Sequence, residues 1–201
     1  MDHGQRRQRI AQALLEVAAA HGLEGVSLRH VAAQAGVTSG MVQHYFPSKN
    51  EMLTFAMRSA SARYASRMAT ALEGLGPAPD PRAVVVAVLT ALLPRDDQQR
   101  QDARVALAFQ SYAATRPAAA DELAADNALL RSFLAEQLDA ARGDGREDDV
   151  AARSLDHERA ATGLLALAEG LGVQVLTSGL PAEDALAALH SQLDLTFATS
   201  P

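Results

Sequence analysis

Between Ala35 and Lys49 the sequence concentrates side chains that both donate and accept hydrogen bonds: Thr38, Ser39, Gln43, His44 and Tyr45. Set on a short helix, they would form the polar side of a rod about 10–12 Å across, a width that the major groove of DNA admits. Gly40 stands among them and would let a sugar-phosphate backbone come close. Cations flank the stretch on both sides, Lys49 after it and Arg6, Arg7 and Arg9 near the start of the chain. Ser27 and Ser48 fall where helices should begin, and free N–H groups and the helix dipole at such ends favour an anion. The chemistry this combination suits is non-covalent recognition of a polyanion, with base edges read by one helix and phosphates held beside it.

Other chemistries find little material. The chain has no cysteine, which removes disulfides and thiolates and fits an intracellular setting. No pair of metal ligands stands at a useful spacing, and neither a phosphate loop nor a nucleophile elbow occurs. Gly170-x-Gly172 lies in a helical pattern and lacks the third glycine of a dinucleotide fingerprint. The acid-rich stretch Arg142–Asp149 matches no calcium-loop template and reads as a solvated turn. No enzyme, metal or cofactor is expected. The rival reading is a helical interaction protein whose two short helices serve packing only, and a salt-titrated gel shift separates the two.

Charge supports recognition at one end. Over 201 residues the net charge is −6, yet residues 1–50 hold five Lys/Arg against three acids, a net of +2. The remaining residues carry a net of −8. Local field, not the total, governs an encounter with a polyanion.

Positioning these side chains requires helices, and helical signals run the length of the chain. Ile10, Ala13, Leu14, Val17 and Ala18 share one face of a first helix from about Gly4 to His21, ended by Gly22. Arg6, Arg7 and Arg9 ahead of this run imitate a signal peptide, but Gln12 and Glu16 interrupt it at helical spacing, so an amphipathic helix in a cytoplasmic protein is expected. Ser27 caps a short second helix over Leu28, Val31, Ala32 and Ala35. Gly36 and Val37 form a bend, and Thr38 or Ser39 opens a third short helix that Pro47 closes. Ser48-Lys49-Asn50-Glu51 is a capping box opening a long fourth helix towards Leu72. Asp80-Pro81, Asp96 or Asp97, and Arg116-Pro117 open three more. The eighth covers about Val150–Thr177, and Gly179-Leu180-Pro181 turns into the ninth. No later segment is expected to be apolar for long enough to cross a bilayer.

The run from Ser27 to Leu53 resembles the signature of the TetR family of transcriptional regulators. The residues that carry it are Ala35-Gly36-Val37-Thr38, Gly40, His44-Tyr45-Phe46 and Ser48-Lys49 followed by Leu53. The similarity extends over about residues 6–57. One departure is Gln43, where many members carry a tyrosine that touches phosphate, so the contact here could move to a base. Arg104–Tyr112, Leu129–Leu138 and the end of the eighth helix are similar to the betaine-pathway (BetI-like) subgroup.

The resemblance implies an all-α fold of nine helices, with a three-helix DNA-binding head (1–47) and a six-helix effector-binding and dimerisation body (48–201). It implies DNA contacts from Arg6, Arg7, Ser27, Arg29, Thr38, Ser39, Gly40, Gln43, His44, Tyr45 and Lys49. Tyr45 could equally pack its ring on the first helix. The expected partners are double-stranded operator DNA, a small-molecule effector and a second copy of the chain, with no membrane. Met57, Tyr64, Met68, Phe109, Tyr112 and Phe133 would line an effector cavity, although such a stripe is also what an ordinary core looks like. His157, with Arg104 as a companion, fits a pocket, a satisfied interior histidine or a surface one. Helices eight and nine would form the dimer interface through Leu164, Leu171, Val175, Leu186, Leu189 and Leu193, an apolar surplus for one small body. A DNA binder without an effector remains a further alternative.

Overall fold

The computed structural model describes residues 3–142 and 150–198, and among them all regular structure is helical. The elements are α1 (His3–His21), α2 (Leu28–Ala35), α3 (Ser39–Tyr45), α4 (Lys49–Glu73), α5 (Pro81–Leu92), α6 (Asp97–Ala113), α7 (Pro117–Arg142), α8 (Val150–Thr177) and α9 (Ala182–Ala198). Every helix expected from the sequence is present. The acid-rich stretch after Arg142 lies outside the described residues.

Packing divides the chain into two compact units, Met1–Arg63 with Arg100–Asp121, and Tyr64–Gln99 with Glu122–Pro201. The first therefore holds the three N-terminal helices, the first part of α4 and most of α6. In this unit α1 buries Ile10, Ala11, Ala13, Leu14, Leu15, Val17 and Ala18. It ends at Gly22, which takes a left-handed φ of 66°.

Ser27 caps α2 by accepting the His30 N–H at 3.2 Å. Gly36, with φ 65° and ψ 39°, ends it. There Val37 N–H returns to the Ala32 carbonyl at 3.0 Å, the longer-range closing bond of a helix ending in a left-handed residue. A side chain at Gly36 would be strained in any surroundings. α3 has seven residues, far fewer than the roughly 12–15 an isolated helix needs in water. It persists because Thr38 caps it, accepting the Met41 N–H at 3.2 Å, and because Val42 and Phe46 are fully buried. Each such side chain contributes on the order of 1.5–3 kcal/mol. Met52, Leu53, Ala56, Met57 and Ala60 of α4, with Val105 and Phe109 of α6, add further buried side chains to this unit.

The second unit is built on one apolar cluster drawn from α5, α7, α8 and α9. Val85, Val88, Leu89, Leu93, Leu134, Ala161, Ala168, Ala185, Leu189 and Leu193 are its most buried members. Two sequence expectations change here. Leu164, Leu171, Val175, Leu189 and Leu193 belong to this cluster, with Leu186 packed partly buried against it. They are not a surplus, because α5 and α7 bring matching apolar faces that periodicity alone does not reveal. Second, residues Asp156–Thr177 of α8 are long and apolar enough, by length and composition, to cross a membrane. Only 28% of that stretch is buried within the chain. One face of α8 joins the cluster, and the other presents Thr162, Gly163, Ala166 and Gln174 outwards.

Candidate DNA-binding site

The two caps and the glycine bend fix how α2 and α3 follow one another, and so decide what α3 shows to solvent. Val42 is turned inwards, whereas Ser39, Gly40, Gln43 and His44 are exposed, as is the capping Thr38. A Cβ added at Gly40 would meet nothing closer than the Thr38 hydroxyl at 4.0 Å. The space over that glycine is therefore open to an approaching backbone.

Tyr45 is half-buried. Its ring lies 4.6 Å from the His3 ring at a tilt of 52°, and the His44 ring meets it edge-on at 5.4 Å. The ring thus packs against the start of α1, the second of the two sequence alternatives, while part of it remains accessible. No sequence signal marked His3 for this role, because the two residues stand 42 positions apart in the chain.

The cations differ in what they are free to do. Arg29 and Lys49 are exposed, and Arg6 is half-exposed. Arg7 instead folds onto the protein, its guanidinium 5.1 Å above the Phe46 ring and 4.5 Å above the Phe55 ring. A guanidinium stacked on aromatic faces serves as packing, so Arg7 is held to the junction of α3 and α4. Arg9 lies over the bend, with Nη2 3.4 Å from where a Gly36 Cβ would stand.

The serines expected at anion-binding helix ends are also occupied. Ser27 is committed to the His30 N–H, and His30 Nδ1 contacts the Gly25 carbonyl at 2.8 Å. Ser48 accepts the Glu51 N–H at 3.2 Å, and its hydroxyl donates to Glu51 Oε1 at 3.2 Å. Their part is to fix where α2 and α4 begin. That leaves a coherent exposed set: Thr38, Ser39, Gly40, Gln43 and His44 on one short helix, with Lys49 beyond it and Arg29 on α2.

The residues considered for an effector fall four to each unit. In the first, Met57 and Phe109 are buried and Arg104 is exposed. Tyr112 donates from its hydroxyl to Asn50 Oδ1 at 3.5 Å, and its ring carries the Arg116 guanidinium at 3.9 Å. In the second, Tyr64 carries the Arg67 guanidinium at 4.2 Å, and Met68 and Phe133 pack against the apolar cluster. His157 is buried at 2% exposure, with Nδ1 3.2 Å from Asp139 Oδ1. Asp139, one helix away, takes the place that sequence reasoning gave to Arg104.

Comparison with known proteins agrees with this geometry at both ends of the chain. Residues 10–54 match the model for bacterial regulatory proteins of the tetR family. Residues 81–198 match that for the C-terminal part of BetI-type transcriptional repressors. The chain belongs to the TetR family of transcriptional regulators. A transcriptional regulator from Rhodococcus sp. Rha1 is 33% identical, with 96% of this chain and 95% of that one covered at a TM-score of 0.76. The transcriptional regulator BetI of Paraburkholderia phytofirmans is 29% identical over 96% of this chain and 94% of its own length. A transcriptional regulator from Saccharomonospora viridis, solved in complex with choline, shares the fold at 22% identity and a TM-score of 0.81, over 96% of this chain and 97% of that one. As a TetR-family regulator the chain is a DNA-binding protein rather than an enzyme, and its C-terminal half is of the BetI repressor type.

Proposed function

We propose that this regulator is a dimeric repressor that seats two α3 helices in a palindromic operator in the cytoplasm, and leaves it when a small molecule occupies the C-terminal part. The observation that carries the reading is the open polar side of α3, bounded by two helix caps and flanked by Lys49. On this reading Gln43 and His44 touch base edges, Thr38, Ser39 and Gly40 follow the backbone, and Lys49, Arg29 and Arg6 neutralise phosphates. In a two-fold dimer the α3 helices would sit about one DNA turn apart, ~34–36 Å. The outward side of α8, where small Gly163 and Ala166 stand exposed, supports a second copy as its cover.

The phosphate role is tested at Lys49. Lys49→Ala is expected to weaken binding to operator and to random DNA alike, and to lower the slope of log affinity against log salt by about one unit. A change in which bases are preferred would refute that role.

The effector part rests on family type and on the choline held by the Saccharomonospora protein, which makes choline the first probe. The experiment is a thermal-shift titration paired with operator release. Melting is expected to rise with a quaternary ammonium ligand, and the operator complex to dissociate over the same concentrations. For one site, a ligand at 100 times its Kd adds about 2.7 kcal/mol to stability. If small cationic metabolites move neither melting nor binding, a constitutive DNA binder is the correct reading.

A further inference from the structure

The first unit contains a run of polar contacts that lies apart from the exposed side chains of α3. Asp102 on α6 is buried at 5% exposure, and its Oδ1 accepts Arg63 Nη1 of α4 at 2.9 Å. The same guanidinium donates through Nη2 to Gln12 Oε1 of α1. Gln12 Nε2 donates to Glu16 Oε1 at 2.9 Å. Glu16 Oε2 then accepts Gln34 Nε2 of α2 at 2.7 Å. Five side chains thus link four helices and end on α2, directly before the bend at Gly36.

The chemistry gives this run a direction. A guanidinium only donates and a carboxylate only accepts, so the Gln12 amide has one productive orientation, oxygen towards Arg63 and nitrogen towards Glu16. Rotating that amide would oppose donor to donor and acceptor to acceptor. Glu16 uses one oxygen for each amide, which a neutral glutamine could not reproduce. Arg63 serves two partners with a rigid fork, which a lysine could not match. Each link therefore has at least one charged partner, an arginine donor or a carboxylate acceptor.

We propose that Asp102, Arg63, Gln12, Glu16 and Gln34 form a polar relay that positions the helix-turn-helix for DNA from α6. None of the five belongs to the exposed set around α3, so these are positioning residues. Through the relay a residue on α6 sets how α2, and with it the bend and α3, rests on α1.

The test is a double-mutant cycle in operator affinity on the full-length protein. Asp102→Asn and Gln34→Ala stand at opposite ends of the run, and effects of separate, independent sites multiply. Each alone is expected to reduce operator affinity by about tenfold, and the pair by the same tenfold rather than about a hundredfold. Affinity for random DNA and the salt slope stay at wild-type values, because no phosphate contact is removed. Amide exchange at the bend rises equally in both single variants. Multiplying effects, or an unchanged operator affinity for Gln34→Ala, would overturn the relay. A purely structural role would lower melting temperature while leaving affinity per folded protein and the exchange at the bend unmoved, which also overturns it. If Asp102→Asn does not fold, Arg63→Lys replaces it in the same cycle, since it keeps the charge on a partly exposed stem and loses the fork.

Discussion

Placing an arginine at Ala166, on the outward side of α8, is expected to yield a monomer of 21.2 kDa in sedimentation velocity and to reduce operator affinity by at least about a hundredfold. The argument begins with what α8 leaves uncovered. It is apolar over a 22-residue stretch, yet its leucines at 164, 165 and 171 are spent inside the chain's own cluster. Among what faces outwards is a small-residue stripe, exposed Gly163 and Ala166 with the partly buried Gly170, spaced three and four residues apart on one helical face. A Cβ built at Gly163 or Gly170 would meet nothing within 4 Å, so among the described residues no close packing explains these glycines. In a helix interior each costs about 1 kcal/mol relative to alanine, a cost that the proposed partner helix would offset by close approach. On α9, Leu195 is 56% exposed and adds apolar area for the same partner.

A bulky cation in that stripe would hold the partner helix away. Once the dimer is lost, each head binds its half-site without the effective concentration the other supplies, a factor of roughly 10²–10⁴. A variant that stays dimeric would move the interface elsewhere. A wild-type protein that sediments as a monomer would end the dimer reading altogether.

The second large effect is expected at Gln43 and His44. Their side chains are exposed on a helix whose opposite side is locked by Val42 and Phe46, so truncation should leave the fold and the backbone position intact. Gln43→Ala and His44→Ala are each expected to cost about 1–3 kcal/mol at one operator base pair, or ~5–150-fold, with affinity for random DNA little changed. A base-by-base operator scan reads this directly. Equal losses on every sequence would instead make the residue a phosphate contact, the role that a tyrosine at the position of Gln43 fills in many family members. Lys49→Ala is the matched control, because its effect is expected to be uniform.

Much of this was legible in the sequence, and the reason is range. Helix starts at Ser27, Thr38, Ser48 and Asp80 depend on bonds to N–H groups two or three residues on. The stops at Gly22 and Gly36 depend on one residue's freedom to take a positive φ. The exposed polar side of α3 follows from the same local periodicity, which is why Gln43 and His44 could be named before any coordinates. What periodicity cannot report is which other helix lies against an apolar face. The leucines of α8 and α9 therefore read as an interface, although α5 and α7 cover most of them. Arg7 read as a phosphate clamp, although Phe55, 48 positions later, offers its ring.

The relay is the extreme case. Its links between Gln12 and Arg63 and between Arg63 and Asp102 span 51 and 39 residues, and no member differs in type from an ordinary surface residue. The amino-acid order by itself determined the helices, the bend and the polar side of α3, because each is set by neighbours within a turn or two. Only tertiary structure decided which cations stay free, which leucines are core and which polar groups join α6 to α2. Those depend on contacts between segments far apart in the chain, whose choice of partner belongs to the packing of the whole.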